Sequence, residues 1–155
     1  MNTSPESQRG MALLVSLVFL LLLTLIGISS MQNANLQEKM ASSVTLRNQS
    51  FQIAEAALRI GESAVQLETY TLAPCAGARC LPPPDSSTVI NAGPGGSGIT
   101  WVAAGGGFYG VQNIGTTLNA VNVPSNTSAT LYRVTAVAIV GNNVRSVVES
   151  VYAKF

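Results

Sequence analysis

The chain has 155 residues, of which 47% are hydrophobic and 10% are charged, and its formal net charge is +1. This length accommodates one membrane helix and one small domain, but not two independent cores. The lack of a cluster of Lys and Arg argues against nucleic-acid binding as the main role. The absence of His removes the commonest metal ligand and general base. The composition therefore points to no metal or cofactor site.

An apolar run from Met11 to Ile28 dominates the N-terminal part, and no charged residue occurs between Arg9 and Glu38. About 18 apolar residues cross most of a bilayer as a helix, and in lipid a helix satisfies its own backbone. A secretory signal would carry small residues in an A-x-A arrangement after the run, which Gly27-Ile28-Ser29-Ser30 does not match well. The sequence predicts a membrane helix, and an ordinary single-pass anchor stays open as an alternative.

The helix is predicted to continue to about Glu68, because no Pro and only Gly61 interrupt the chain after Met31. At 100° per residue, the apolar residues fall on one broad half of this segment, which predicts an amphipathic helix. They are Leu46, Ile53, Ala54, Ala57, Leu58, Ile60, Gly61, Ala64, Val65 and Leu67. We expect a bend near Gly27, Ser29 and Ser30, since small polar pairs are common kink sites.

The stretch QRGMALLVSLVFLLLLTLIGISSMQ, from Gln8 to Gln32, resembles the N-terminus of type IV pilins, and most closely the minor pilins of the PilX family. The resemblance extends to Glu62 and is weaker over the last thirty residues. It implies a leader, residues 1–10, that a prepilin peptidase removes between Gly10 and Met11, and N-methylation of Met11. It also implies one long helix, with a transmembrane half at 11–35 and an amphipathic half at 36–70.

Most pilins carry Glu at the fifth mature position, but cleavage after Gly10 places Val15 there. PilX proteins and the tip pseudopilin of type II secretion resemble this chain in lacking that Glu. A subunit at the tip has no subunit above it to contact through such a carboxylate. The residues expected to carry assembly are those of the apolar helix: Val15, Leu46, Ile53, Ala54, Ala57 and Leu58.

A region rich in Cys, Pro and Gly is predicted at 71–107. Cys75 and Cys80 are separated by four residues, which favours one structural disulfide outside the cytoplasm. A redox or zinc site is the alternative, but the C-x4-C spacing and the lack of His do not favour it. Within this region, Ile99–Val102 can form a short strand, and we expect Trp101 to lie in the core.

A small antiparallel sheet is predicted at 108–155. Polar and apolar residues alternate in Leu131–Val140, which is also rich in β-branched residues, so a strand is predicted there. Gly141-Asn142-Asn143 is typical of a hairpin turn, and Val144–Tyr152 is predicted to be the second strand of the hairpin. Phe108–Gln112 can supply another strand, giving three or four in all. The strand period predicts that Tyr132, Val134, Ala136, Ala138 and Val140 face the helix. The fold class is therefore α+β, with a long N-terminal helix packed on this sheet, as in pilins.

Three classes of function are compared. The resemblance implies a non-enzymatic minor pilin that primes pilus assembly at the tip, with roles in adhesion and twitching motility. Its partners would be other minor pilins, the major pilin, prepilin peptidase, inner-membrane lipid and a tip adhesin, with its C-terminal domain in the periplasm. The alternatives are a minor pseudopilin of a type II secretion system and a single-pass membrane-anchored envelope domain. An enzyme is disfavoured, because without His the nucleophile would be Ser with Lys, and Lys39 lies in the helix while Lys154 lies at the terminus. Asp85 and Glu149 are far apart in sequence and have no evident partner.

Overall fold

The computed structural model describes residues 6–155, with side chains described from Gly10 onward. Residues 1–5 of the predicted leader lie outside this range. Helix α1 covers Glu6–Gln66, and two short 3-10 helices follow at Gly77–Cys80 and Pro84–Ser87. The strands are β1 (Gly93–Pro94), β2 (Thr100–Ala104), β3 (Gly107–Thr117), β4 (Ala129–Val140) and β5 (Val144–Lys154).

Two compact units divide the chain, Met1–Ser43 and Val44–Phe155. The first unit contains the N-terminal part of α1, and every described side chain from Gly10 to Ser43 is exposed. Helical structure continues through Gly27, Ser29 and Ser30, so the bend expected there stays a prediction. From Gly10 to Ser43, the first unit therefore has no core of its own.

The second unit contains one antiparallel sheet in the order β1-β2-β3-β4-β5. The predicted strands are all present, but the sheet has five strands rather than three or four, because β1 and β2 arise in the segment expected to be mostly loop. Gly105 and Gly106 form the two-residue turn between β2 and β3, with φ of +61° and +87°. Positive φ at both positions is the requirement of a type I′ hairpin turn, which Gly meets without strain.

Helix α1 packs on the sheet through small residues. The side of α1 that is buried in the second unit consists of Ser50, Ala54, Ala57, Gly61 and Val65. A Cβ added at Gly61 would lie 2.7 Å from Val134 Cγ1 and 2.8 Å from Tyr109 Cδ2. Val65, Tyr132 and Val134 form the centre of this core, which confirms that Tyr132 and Val134 face the helix.

The opposite face of the sheet is covered by the segment between α1 and β2. Ile99, Trp101 and Val137 form a second core there, with Val89 and Phe108 packed against it. Trp101 is only 2% exposed, which confirms its predicted place in the core. A Cβ at Gly110 would overlap Ile99 Cγ2, so glycine is required for this close approach.

Candidate assembly helix and processing site

The first unit presents an apolar helix surface with nothing of its own to cover it. In the described residues, α1 is the one helix long and apolar enough to cross a membrane, and an 18-residue window in it has a mean hydropathy of 2.9. Ser16 and Thr24 are hydroxyl-bearing residues in the apolar run. Their hydroxyls donate to the carbonyls of Leu13 (2.9 Å) and Leu21 (2.8 Å), so neither hydroxyl needs water. This arrangement suits a lipid environment.

Gly10 and Met11, the residues of the predicted cleavage site, lie within α1 and are exposed. A Cβ at Gly10 would meet no atom within 4 Å, and the same holds for Gly27 further along the helix. The fold of this chain therefore does not require glycine at position 10.

The residues predicted to carry assembly divide by location. Val15 lies in the first unit and is 50% exposed. Ala54 and Ala57 are buried against the chain's own sheet, while Leu46, Ile53 and Leu58 are half-buried. The exposed large apolar side chains of α1 in the second unit are Val44, Phe51 and Ile60, and exposed Leu67 follows directly after the helix. Val44 and Phe51 were not in the predicted apolar sector, because the helical wheel places them beside Glu55 and Glu62.

Cys75 and Cys80 form a disulfide with a Cα–Cα distance of 5.3 Å, which encloses the first 3-10 helix. The Cys75 N–H donates to the Asn113 carbonyl of β3 (2.8 Å), and Pro74 forms an isolated parallel β-bridge with Asn113. The disulfide therefore fixes the covering segment at the point where it reaches the sheet.

Two arginines on the face opposite α1 hold the same segment by its backbone. Arg133 donates to the Cys80 carbonyl (2.6 Å), and Arg145 donates to the carbonyls of Ser86 (3.0 Å) and Val89 (2.9 Å). Arg133 Nε also lies 3.1 Å from Glu149 Oε1, an ion pair without hydrogen-bond alignment. Glu149, expected to lack a partner, therefore has one. These contacts use side chains far apart in sequence, so no local pattern could reveal them.

Asp85, also expected to lack a partner, accepts hydrogen bonds from the Ser97 hydroxyl (2.7 Å), the Ser97 N–H (3.3 Å) and Trp101 Nε1 (3.2 Å). Burial raises the pKa of Asp85, but the bonds from Ser97 and Trp101 outweigh that effect and leave the pKa below its usual value. Asp85 thus fixes the glycine-rich turn at 95–98 to the second core. This is a structural role, which explains a polar residue that looked isolated in sequence.

A groove of about 400 Å³ lies at the free edge of β3. Tyr70, Arg79 and Tyr109 are among the residues that line it. Burial raises the pKa of Tyr70, and the neighbouring Tyr109 and Tyr132 raise it further. Its ring packs edge-to-face on Tyr132, with centroids 5.6 Å apart. Tyr70 is therefore part of the core that closes the end of α1.

The apolar helix is similar to a known protein family. Residues 9–59 match the family model described as the PilX N-terminal domain. Over these residues the chain is similar to the PilX N-terminal domain. The match begins one residue before the proposed cleavage site and covers the apolar run and much of the amphipathic segment, so it confirms the resemblance found in the sequence. No curated protein and no solved structure matches the chain.

Proposed function

We propose that this chain is a minor pilin that a prepilin peptidase cuts between Gly10 and Met11, and that primes assembly of a type IV pilus. The observation that carries the proposal is the PilX N-terminal match over residues 9–59. The fully exposed apolar helix from Gly10 onward supports it, because such a surface is stable only in lipid or against other apolar helices.

In this proposal the chain is inserted in the inner membrane before assembly, with the second unit in the periplasm. Arg9 and the leader would stay on the cytoplasmic side, since positive charge next to a membrane helix favours that side. Removal of the leader exposes a new N-terminus at Met11, where we expect N-methylation. The helix then moves from lipid into the helical core of the pilus, where the apolar surface around Val15 meets other subunits.

Val15 supports a place at the tip rather than along the shaft. An unpaired carboxylate costs about 2.5–3.5 kcal/mol at the centre of a membrane helix and less toward its end, where Val15 lies. Val15 avoids that cost and also offers no charge to the terminus of a neighbouring subunit. A subunit of this kind suits a priming complex with other minor pilins, onto which the major pilin is then added.

The first test is the intact mass of the chain from membranes with and without a prepilin peptidase. We expect loss of residues 1–10, with one added methyl group, only when the peptidase is present. Gly10→Val should block cleavage, whereas Gly27→Val is the matched control, because neither Cβ meets another atom within 4 Å. An intact leader in the presence of the peptidase would reject the proposal in favour of a plain membrane anchor.

The second test separates tip from shaft. Gold-labelled antibody against the second unit should mark one end of sheared pili, and deletion of the chain should lower the number of pili rather than their length. Val15→Glu should shift the label along the shaft if the missing charge restricts the subunit to the tip. Label along the shaft in the unmodified protein would contradict the priming role while leaving the pilin class intact.

A further inference from the structure

The edge of β3 that faces away from β4 is covered in two places and open between them. β2 pairs with β3 as far as Val102↔Tyr109. Cover resumes where the Cys75 N–H donates to the Asn113 carbonyl. Residues that face one side alternate along an antiparallel strand, so Val111, midway between Tyr109 and Asn113, also directs its N–H and C=O away from β4. In residues 6–155, no strand pairs with Val111 on that side.

The groove of about 400 Å³ lies at this opening, since Val102, Val111 and Asn113 are among the residues that line it. Tyr70 lines it on the side of α1, where its ring packs on the core between the helix and the sheet. Arg79 lines it from the segment that covers the opposite face. Among the described residues of the lining, Arg79 is the one charged side chain, so the groove is complementary to a single negative charge.

Arg79 is held in place but has no partner for its charge. Gln112, only 4% exposed, donates to the Arg79 carbonyl (2.5 Å) and fixes the backbone. The side chain runs past Gly98, where an added Cβ would lie 3.5 Å from Arg79 Cδ. The other cationic side chains after residue 70 all donate to backbone carbonyls, and they are Arg133, Arg145 and Lys154. Within the described part of the chain, the Arg79 guanidinium alone of these four makes no hydrogen bond or ion pair.

We propose that this groove binds the C-terminal end of another polypeptide, with the terminal carboxylate at Arg79 and the last residues extended along β3 at Val111. A guanidinium binds a carboxylate through two parallel N–H···O bonds. The outward N–H and C=O of Val111 match an extended backbone, and capture of a terminal carboxylate is a recurring mode of peptide recognition. The proposal goes beyond the pilin function and does not depend on cleavage at Gly10.

The length of the opening favours a chain end over a continuous strand. From Tyr109 to Asn113 an extended strand covers about 13 Å, which leaves room for about three residues. β2 occupies the edge before this opening, and Cys75 occupies it afterwards. A strand that continued in both directions would collide with one of them, whereas a chain that ends in the groove does not.

The lining also favours a peptide over a free inorganic anion. Leu72, Ile99 and Val102 give the groove apolar surface. Sites for organic ligands combine such surface with a few polar groups that fix orientation. An inorganic anion gains nothing from the apolar side chains and meets only one cation. We therefore expect the last residue of the bound peptide to be apolar.

Binding of short peptides to the purified full chain in detergent tests the proposal. The probes are three N-acetyl-Ala-Ala-X tripeptides, with X as Val, Leu or Phe, each with a free carboxylate or with a C-terminal amide. The backbone amide signals of Val111 and Gly98 should shift in NMR spectra on addition of at least one free-acid peptide. The corresponding amide should bind on the order of tenfold more weakly, because it forms no charged pair with Arg79. No shift with any of the three acids would overturn the proposal.

Two substitutions separate the charge from the shape of the groove. Arg79→Met keeps much of the side-chain stem and should remove the difference in affinity between acid and amide. Arg59→Met, at an exposed position of α1, is the matched control and should keep that difference. Ala73→Phe adds a ring to the lining and should abolish binding of both forms while leaving Arg79 unchanged. Binding that survives in both groove variants would place the peptide elsewhere and overturn the proposal.

The remaining outcomes are also decisive. Inorganic phosphate is added alone as a further probe, and it should not shift the Val111 signal. A shift equal to that of the peptides would identify the groove as a site for a free anion, contrary to the proposal. Equal affinity for acid and amide in the unmodified chain would reject the role of Arg79. Intact-mass measurement reports cleavage at Gly10 separately, so failure of the pilin function and failure of peptide binding are distinguishable.

Discussion

The side chains of helix α1 differ in size and exposure between the two units. From Gly10 to Ser43 every side chain is exposed and most are large and apolar. After Val44, the buried positions are small: Ser50, Ala54, Ala57 and Gly61 precede the larger Val65. The large apolar side chains of the first unit need lipid or other helices, whereas the small ones of the second let a sheet approach the helix backbone. Residue size, more than polarity, therefore distinguishes the exposed apolar surface of the first unit from the helix surface that packs on the sheet.

The largest expected effect comes from the glycines of the two units. Gly61→Val should destabilise the second unit by about 3 kcal/mol or more, because its side chain overlaps Val134 and Tyr109. Gly27→Val should leave the unfolding of that unit unchanged, although it adds the same side chain to the same helix. Thermal unfolding monitored by Trp101, the sole tryptophan, measures both variants. Similar midpoints would break the distinction between the units.

The next effect concerns the segment that covers the sheet. Arg145→Met removes charged hydrogen bonds to two carbonyls, and hydrogen bonds to charged groups are worth about 1.5–3 kcal/mol each. We expect a loss of about 2 kcal/mol, since water replaces part of what is lost. Arg59→Met, at an exposed helix position, is the matched control and should have little effect. The same tryptophan signal reports the difference, and equal unfolding of the two variants would show that Arg145 does not anchor the segment.

A smaller effect is expected where α1 ends. The last turn of α1 contains no basic residue, but Lys154 of β5 donates to the carbonyls of Leu67 (2.5 Å) and Tyr70 (3.2 Å). A cation at a helix C-terminus contributes about 0.3–1 kcal/mol, so Lys154→Met should lower stability by about that amount. Exchange of the amides in the last turn should accelerate. Lys39→Met in the first unit is the control and should change neither quantity.

The smallest effect is expected from Asp85, which is partly exposed. Its pKa in the fold lies below the ordinary 3.8, so its contribution is fully present above pH 3.8 and is lost as the pH falls through the lower value. The fluorescence of Trp101, whose indole N–H donates to Asp85, should change in that range. Asp85→Asn should abolish the transition. A transition that survives in this variant would assign it to another carboxylate.

Several elements were predictable because their signals are local. Composition and period predict the apolar run, the β4–β5 hairpin around Gly141-Asn142-Asn143 and the position of Trp101. They also predict a helix to about Glu68, two residues beyond its end at Gln66. Strand β1 was not predictable, because Gly93-Pro94 has no strand propensity and pairs only because β2 lies beside it. The partners of Asp85 and Glu149 were missed for the same reason, since Trp101 and Arg133 come close only after the sheet forms.

The sequence by itself determined that a long apolar helix precedes a small sheet and that Gly10-Met11 resembles a pilin cleavage site, because periodicity and short motifs are properties of neighbouring residues. Tertiary structure alone decided which part of the amphipathic helix the chain buries, how Arg133 and Arg145 hold the covering segment, and that Lys154 of β5 reaches the end of α1. Those features depend on register and on contacts between distant residues. Whether the backbone groups of a strand are hydrogen-bonded depends on which other strand lies beside it.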